Sequence, residues 1–121
     1  MNENCLARGC TECCKHTAMP LTQKDIDRLV ILGYYDSYFV VNHQGWKTLR
    51  NVHGQCVFLK DGKCQVWSHR PEGCRLRPMI YDPETGHTTI DDQCIHKDAF
   101  RLNPEGERAV KDLVKRLMQE R

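Results

Sequence analysis

The chain has 121 residues and is 40% hydrophobic, but eight of the hydrophobic residues are cysteines and Leu, Ile, Val and Phe number only 26, a thin supply for burying a core. Apolar runs such as Leu29–Leu32 are far too short to span a bilayer and the N-terminus is polar rather than a cleavable signal, so one small soluble domain, residues 1–121, is expected in the cytoplasm. The formal charge of +2 counts every cysteine as neutral; eight thiolates on two divalent centres would bring it to about −2, so the mildly basic balance is no argument for nucleic acid.

In chain order, a first cysteine group, Cys5-x4-Cys10-x2-Cys13-Cys14, precedes a capped amphipathic helix with Thr22 as N-cap, Ile26, Leu29 and Val30 on its periodic positions, and Gly33 as its stop. Tyr34–Val41 is aromatic and β-branched, a pattern open to a strand or a second helical turn. Val57–Leu59 and Gln65–Trp67 flank Asp61-Gly62, a pair that tolerates positive φ, which predicts a β-hairpin able to bring Cys56 and Cys64 together. A second hairpin joins Met79–Tyr81 to Thr88–Ile90 around Asp82–Gly86. Arg70–Cys74 reads as the start of a short helix with Pro71 at its first position, aiming N–H groups at a sulfur. The last element is a helix over about 104–119: Asn103 is its N-cap, Pro104 its first residue, and Val110, Leu113, Val114, Leu117 and Met118 its apolar face. These elements predict an irregular α+β fold, metal-stabilised, with β-hairpins and a helix in each half.

Cysteine usage points to metal or redox chemistry, since without a secretion signal a disulfide scaffold is not expected. A Cys-x2-Cys pair sets two sulfurs around one metal through a tight turn, and Cys10 and Cys13 fit that role. Adjacent side chains diverge, so Cys13-Cys14 suggests two nearby metals, a bridging sulfur or one free thiol. The second quartet, Cys56-x7-Cys64-x9-Cys74-x19-Cys94, is more loosely spaced. All-sulfur ligation excludes magnesium and calcium and leaves zinc or iron, including a [4Fe-4S] cluster.

Cys56-Val57-Phe58-Leu59, Gly62-Lys63-Cys64-Gln65-Val66-Trp67, Arg70-Pro71 and Cys74-Arg75-Leu76-Arg77-Pro78, together with the N-terminal run, resemble the CxxCxxCC family, a zinc- or iron-chelating domain also called the YkgJ-like cysteine cluster family. Three positions depart from its pattern: Cys5 lies farther ahead of Cys10, Trp67 replaces a usual Tyr, and Arg77 replaces a usual aromatic residue. The resemblance covers Cys5 to about Cys94. It implies metal chelation by eight ligands, Cys5, Cys10, Cys13, Cys14, Cys56, Cys64, Cys74 and Cys94, and no settled reaction.

A four-thiolate site around a divalent ion or a 2+ cluster carries about −2 and needs nearby positive charge. Arg70 and Arg75 are the expected sources, with Arg77 an alternative to an ordinary solvated charge. The histidines near cysteines, His16, His53, His69 and His96, are expected beside the site or on the surface rather than on the metal.

The expected function is a metal-binding module whose thiolate centre holds the fold together and offers a protein partner a docking surface or a metal. Competing readings are an iron–sulfur redox or methyl-transfer-associated enzyme component, a zinc-ribbon-like nucleic-acid binder built on Arg70, Arg75, Arg77, Lys111, Lys115 and Arg116, and a Cys10–Cys13 dithiol in disulfide exchange. No glycine-rich cofactor loop or second catalytic constellation supports an enzyme. Charges of both signs on the last helix argue for a solvated face rather than a nucleic-acid footprint.

Overall fold

The computed structural model describes residues 14–91, 94 and 100–121. Among these residues, two helices are followed by three two-stranded antiparallel sheets, a third helix, a fourth such sheet and a last helix, and no helix is long and apolar enough to cross a membrane. The fold is α+β.

Helix α1 spans Gln23–Ile31. Thr22 caps it through a reciprocal box: its hydroxyl accepts the Asp25 N–H at 3.1 Å, and the Asp25 carboxylate accepts the Thr22 N–H at 3.1 Å. Gly33, at φ +118°, lies just past its end. The ambiguous stretch after it takes both predicted forms in succession, a helical turn α2 (Asp36–Phe39) and then strand β1 (Val40–His43).

Strand β1 pairs with β2 (Trp46–Leu49), β3 (Asn51–Val52) with β4 (Gln55–Cys56), and β5 (Leu59–Lys60) with β6 (Lys63–Cys64). Each of the three hairpins turns on two residues of positive φ, Gln44-Gly45, His53-Gly54 and Asp61-Gly62, the geometry whose twist matches the flanking strands. Only the last is an evident turn pair in sequence. The paired strands of that hairpin are shorter than expected, and Trp67 instead opens a 3-10 turn, Trp67–His69. Helix α3 follows at Glu72–Leu76, with Pro71 as its N-cap residue. Strands β7 (Met79–Asp82) and β8 (His87–Ile90) form the predicted hairpin, paired Met79 to Ile90 through Asp82 to His87.

The main core lies between α1, the early hairpins and the segment after β4, where Met19, Leu21, Ile26, Leu29, Phe39, Leu49, Phe58 and Val66 are buried together. Phe58 is its aromatic centre, with ring centroids 5.0 Å from Tyr34 and 5.5 Å from Phe39.

Helix α4, Pro104–Glu120, packs on α3 and the β7–β8 hairpin through Val110, Leu113 and Leu117. Met118, expected on this apolar face, is 65% exposed. At 100° per residue the buried arc centres on positions 106, 110, 113 and 117, and Met118 falls past its edge. The Asn103 side chain accepts the Gly106 N–H at 2.7 Å, as a cap should. Asn103→Ala is expected to cost about 1 kcal/mol in urea unfolding; a loss indistinguishable from zero would show that water replaces the cap.

Candidate metal centre

Four short elements deliver four cysteines to one place. Residues 15–17 zip onto the β3–β4 hairpin: Lys15 forms a bridge with Gln55, the His16 N–H donates to the Gly54 carbonyl at 2.7 Å, and Asn51 Nδ2 donates to the Thr17 carbonyl at 2.8 Å. This sets Cys14 beside the hairpin that carries Cys56. The β5–β6 turn returns Cys64, and α3 supplies Cys74. All four line one cavity of about 30 Å³, together with Met19, Phe58, Val66, Trp67, Arg70 and Arg77. A space of that size holds an ion or a water molecule.

The position of α3 depends on a buried carboxylate. Asp25, 1% exposed, accepts the N–H of Glu72 at 3.1 Å and pairs with the Arg28 guanidinium at 2.8 Å. Arg28 in turn donates to the His69 carbonyl at 3.3 Å and the Arg70 carbonyl at 3.1 Å. Among the described residues, the Glu72 N–H at the start of α3 is therefore met by Asp25 rather than by a sulfur, and the Cys74 N–H is taken by the Pro71 carbonyl at 2.9 Å. The far side of α3 is held by α4, where Arg116 makes a bidentate contact with Glu72 at 2.7 and 2.6 Å.

Burial is the main force on the thiols. It pushes Cys14 up strongly, with added repulsion from Cys56, Cys74 and Cys64. Burial likewise pushes Cys56 up to about 11 and Cys74 up to about 12. Cys64 is raised by the same cause. Metal-free, the group therefore sits as neutral thiols at neutral pH, and thiolates can persist only where positive charge compensates them. Part of the compensation is built in. Backbone N–H groups of Phe58 and Leu59 favour the Cys56 thiolate, that of Val66 favours the Cys64 thiolate, and Arg70 and Arg77 oppose the rise at Cys64 and Cys74 respectively.

The Arg70 guanidinium lies 3.9 Å from the Trp67 ring centroid and donates to the Trp67 carbonyl at 2.7 Å, which holds it at the cavity wall. Arg75 is exposed, reaches the Ser68 carbonyl at 3.4 Å and does not line the cavity. Arg77 lines the cavity and pairs with Asp91. Arg70 and Arg77 lie just outside α3 on extended backbone at its two ends, whereas Arg75 lies within the helix, next to Cys74. No described histidine lines the cavity.

Cys94 is 2% exposed and does not line this cavity; its N–H donates to the carbonyl of Asp91, the residue paired with Arg77. Cys5, Cys10 and Cys13 lie outside the described residues. Among the described residues, no three Cys, His, Asp or Glu side chains are close enough to hold an ion as they stand. The donor set nevertheless fits a thiophilic metal in kind: four thiols facing one enclosed space, with N–H donors and guanidinium groups to offset thiolate charge. Of the basic residues weighed for nucleic acid, Arg116 and Arg77 are committed to Glu72 and Asp91.

The model of the family described as "Putative zinc- or iron-chelating domain" (CxxCxxCC) matches residues 4–103. An uncharacterized protein of Methanocaldococcus jannaschii is 31% identical over 93 residues, covering 67% of this chain and 48% of that protein, so the chain spans about half the length of that relative. No solved structure matches the chain.

Proposed function

The chain belongs to the CxxCxxCC family of zinc- or iron-chelating domains, and we propose that it folds as one domain, residues 1–121, around a thiolate metal centre whose ligands include Cys14, Cys56, Cys64 and Cys74. Cys10, Cys13 and Cys5, from the N-terminal group, complete the ligand set, and Cys94 joins it from beyond the Arg77–Asp91 pair. The observation that carries this reading is the arrival of four cysteines from four separate stretches at one small cavity. An ion bound there neutralises buried thiolates and cross-links four separate stretches of chain at the edge of the main core. The role is structural, with a partner-docking surface elsewhere on the domain: Ile31 and Tyr35, 87% and 82% exposed, present large apolar side chains at the end of α1 and the start of α2.

Metal analysis and the visible spectrum of anaerobically purified protein test the reading. Zinc in a colourless sample supports a structural centre, and iron with sulfide in a brown one supports an iron–sulfur centre. Protein that carries neither metal and takes up neither on anaerobic reconstitution would end the proposal.

A further inference from the structure

Large apolar side chains collect at one place on the surface. Among the described residues, Val30, Ile31, Leu32, Tyr35 and Tyr38 are all exposed within one short stretch of chain, while the other exposed ones, Val41, Val52, Leu102 and Met118, are scattered. Single exposed apolar residues are ordinary on a folded surface, and a cluster is not. The stretch runs from the end of α1 through Gly33 into α2, and the two helices pack on each other. Tyr38 stacks on Tyr34 with 5.8 Å between ring centroids, and Tyr34 meets Phe58 edge-on, so the patch is rooted in the main core.

Nothing in the fold calls for these residues. Helix α1 turns Ile26 and Leu29 inward, whereas Ile31 follows Asp27 and Arg28 by four and three residues and shares their side of the helix. Val and Ile are poorer helix formers than the Lys, Glu or Gln that suit a solvated face. Ile31 and Leu32 line a groove of about 340 Å³ together with Lys24, Asp27, Arg28 and His69. Charges of both signs therefore border the apolar residues, Lys24 and Arg28 beside Asp27, with Asp36 next to Tyr35.

Resting on the partner-docking reading, we propose that the partner is a second copy of this chain, joined through a two-fold contact centred on Ile31 and Tyr35. A two-fold interface lays a patch against itself, so the charges at its rim must be of both signs to complement each other. A partner of one dominant charge would set like charges together at either Lys24 or Asp27. The area is adequate: the five side chains expose on the order of 500 Å², more than half of the roughly 800 Å² that each partner gives to a standard interface. Tyr is also among the residues enriched at interface centres.

Sedimentation velocity of the metal-loaded full chain, from about 1 to about 100 µM, tests this. A dimer is expected at the upper concentration. Ile31→Lys and Tyr35→Glu are each expected to weaken it by about tenfold or more, while metal content and melting temperature stay at the wild-type values. Met118→Lys, on an exposed apolar residue outside the patch, is expected to leave it unchanged. A dimer indifferent to both patch variants would overturn the proposal by placing the contact elsewhere. A wild-type chain that stays monomeric at the upper concentration would overturn it as well, and the fluorescence of 1-anilinonaphthalene-8-sulfonate then separates two cases. Dye binding that is lost in Ile31→Lys leaves the patch to a partner of other chemistry, whereas no binding to the wild-type chain removes the docking surface itself.

Discussion

Replacing Cys74 by serine is expected to lower the melting temperature of the metal-loaded protein by more than about 10 °C, or to leave it unfolded at 25 °C. The reason is the ratio of two energies. A structural zinc ion contributes about 10–16 kcal/mol in small peptides, while a whole domain is stable by about 5–15 kcal/mol. For a chain of this length each kcal/mol moves the midpoint by about 4 °C, so losing even a quarter of the metal term is a large effect. Serine preserves the shape of the side chain but supplies no thiolate. In chelator-treated protein the substitution is therefore expected to shift the midpoint by less than about 3 °C, if that protein still melts cooperatively. Circular dichroism melts of both proteins, with and without chelator, form the cycle. Equal losses in the two backgrounds would assign Cys74 to packing and remove it as a ligand.

Asp25→Ala is expected to destabilise the protein by about 2–4 kcal/mol, most of it through the segment that carries Cys74. The substitution strands the N–H groups of Thr22 and Glu72 and leaves Arg28 without its carboxylate. Breaking a buried ion pair costs about 3–5 kcal/mol, and the figure is discounted because the Arg28 side chain is 33% exposed. Asp25→Asn retains an acceptor for one N–H and is expected to lose less. Urea unfolding gives the free energies, and metal titration of the same variants asks whether residues 69–72 still present Cys74: Asp25→Ala is expected to weaken metal binding as well. A loss below about 1 kcal/mol would show that the segment is held by other contacts, and the clamp would carry no weight in placing the centre.

The uneven legibility of this chain follows from the range of the interactions involved. The capping box at Thr22, the proline and asparagine that open α4 and the Asp-Gly turn are decided within four or five residues, and each is visible in sequence. The hairpins at Gln44-Gly45 and His53-Gly54 use the same positive-φ geometry, but neither is one of the Asn-Gly or Asp-Gly pairs that mark such turns most strongly, so their turns carry a weaker mark. Arg75 and Arg77 differ by where α3 ends, between Leu76 and the extended Arg77, and the contact of Asp25 with the Glu72 N–H joins residues 47 apart.

By itself the order of amino acids determined the cysteine-rich composition, the family motifs, the α+β character and the ends of the long helices, because those depend on residue type and on neighbours a turn away. Which cysteines share a cavity and which guanidinium faces them were decided only by the tertiary structure. Packing between distant segments sets those relations, and spacing along the chain holds no record of the angle at which two segments meet.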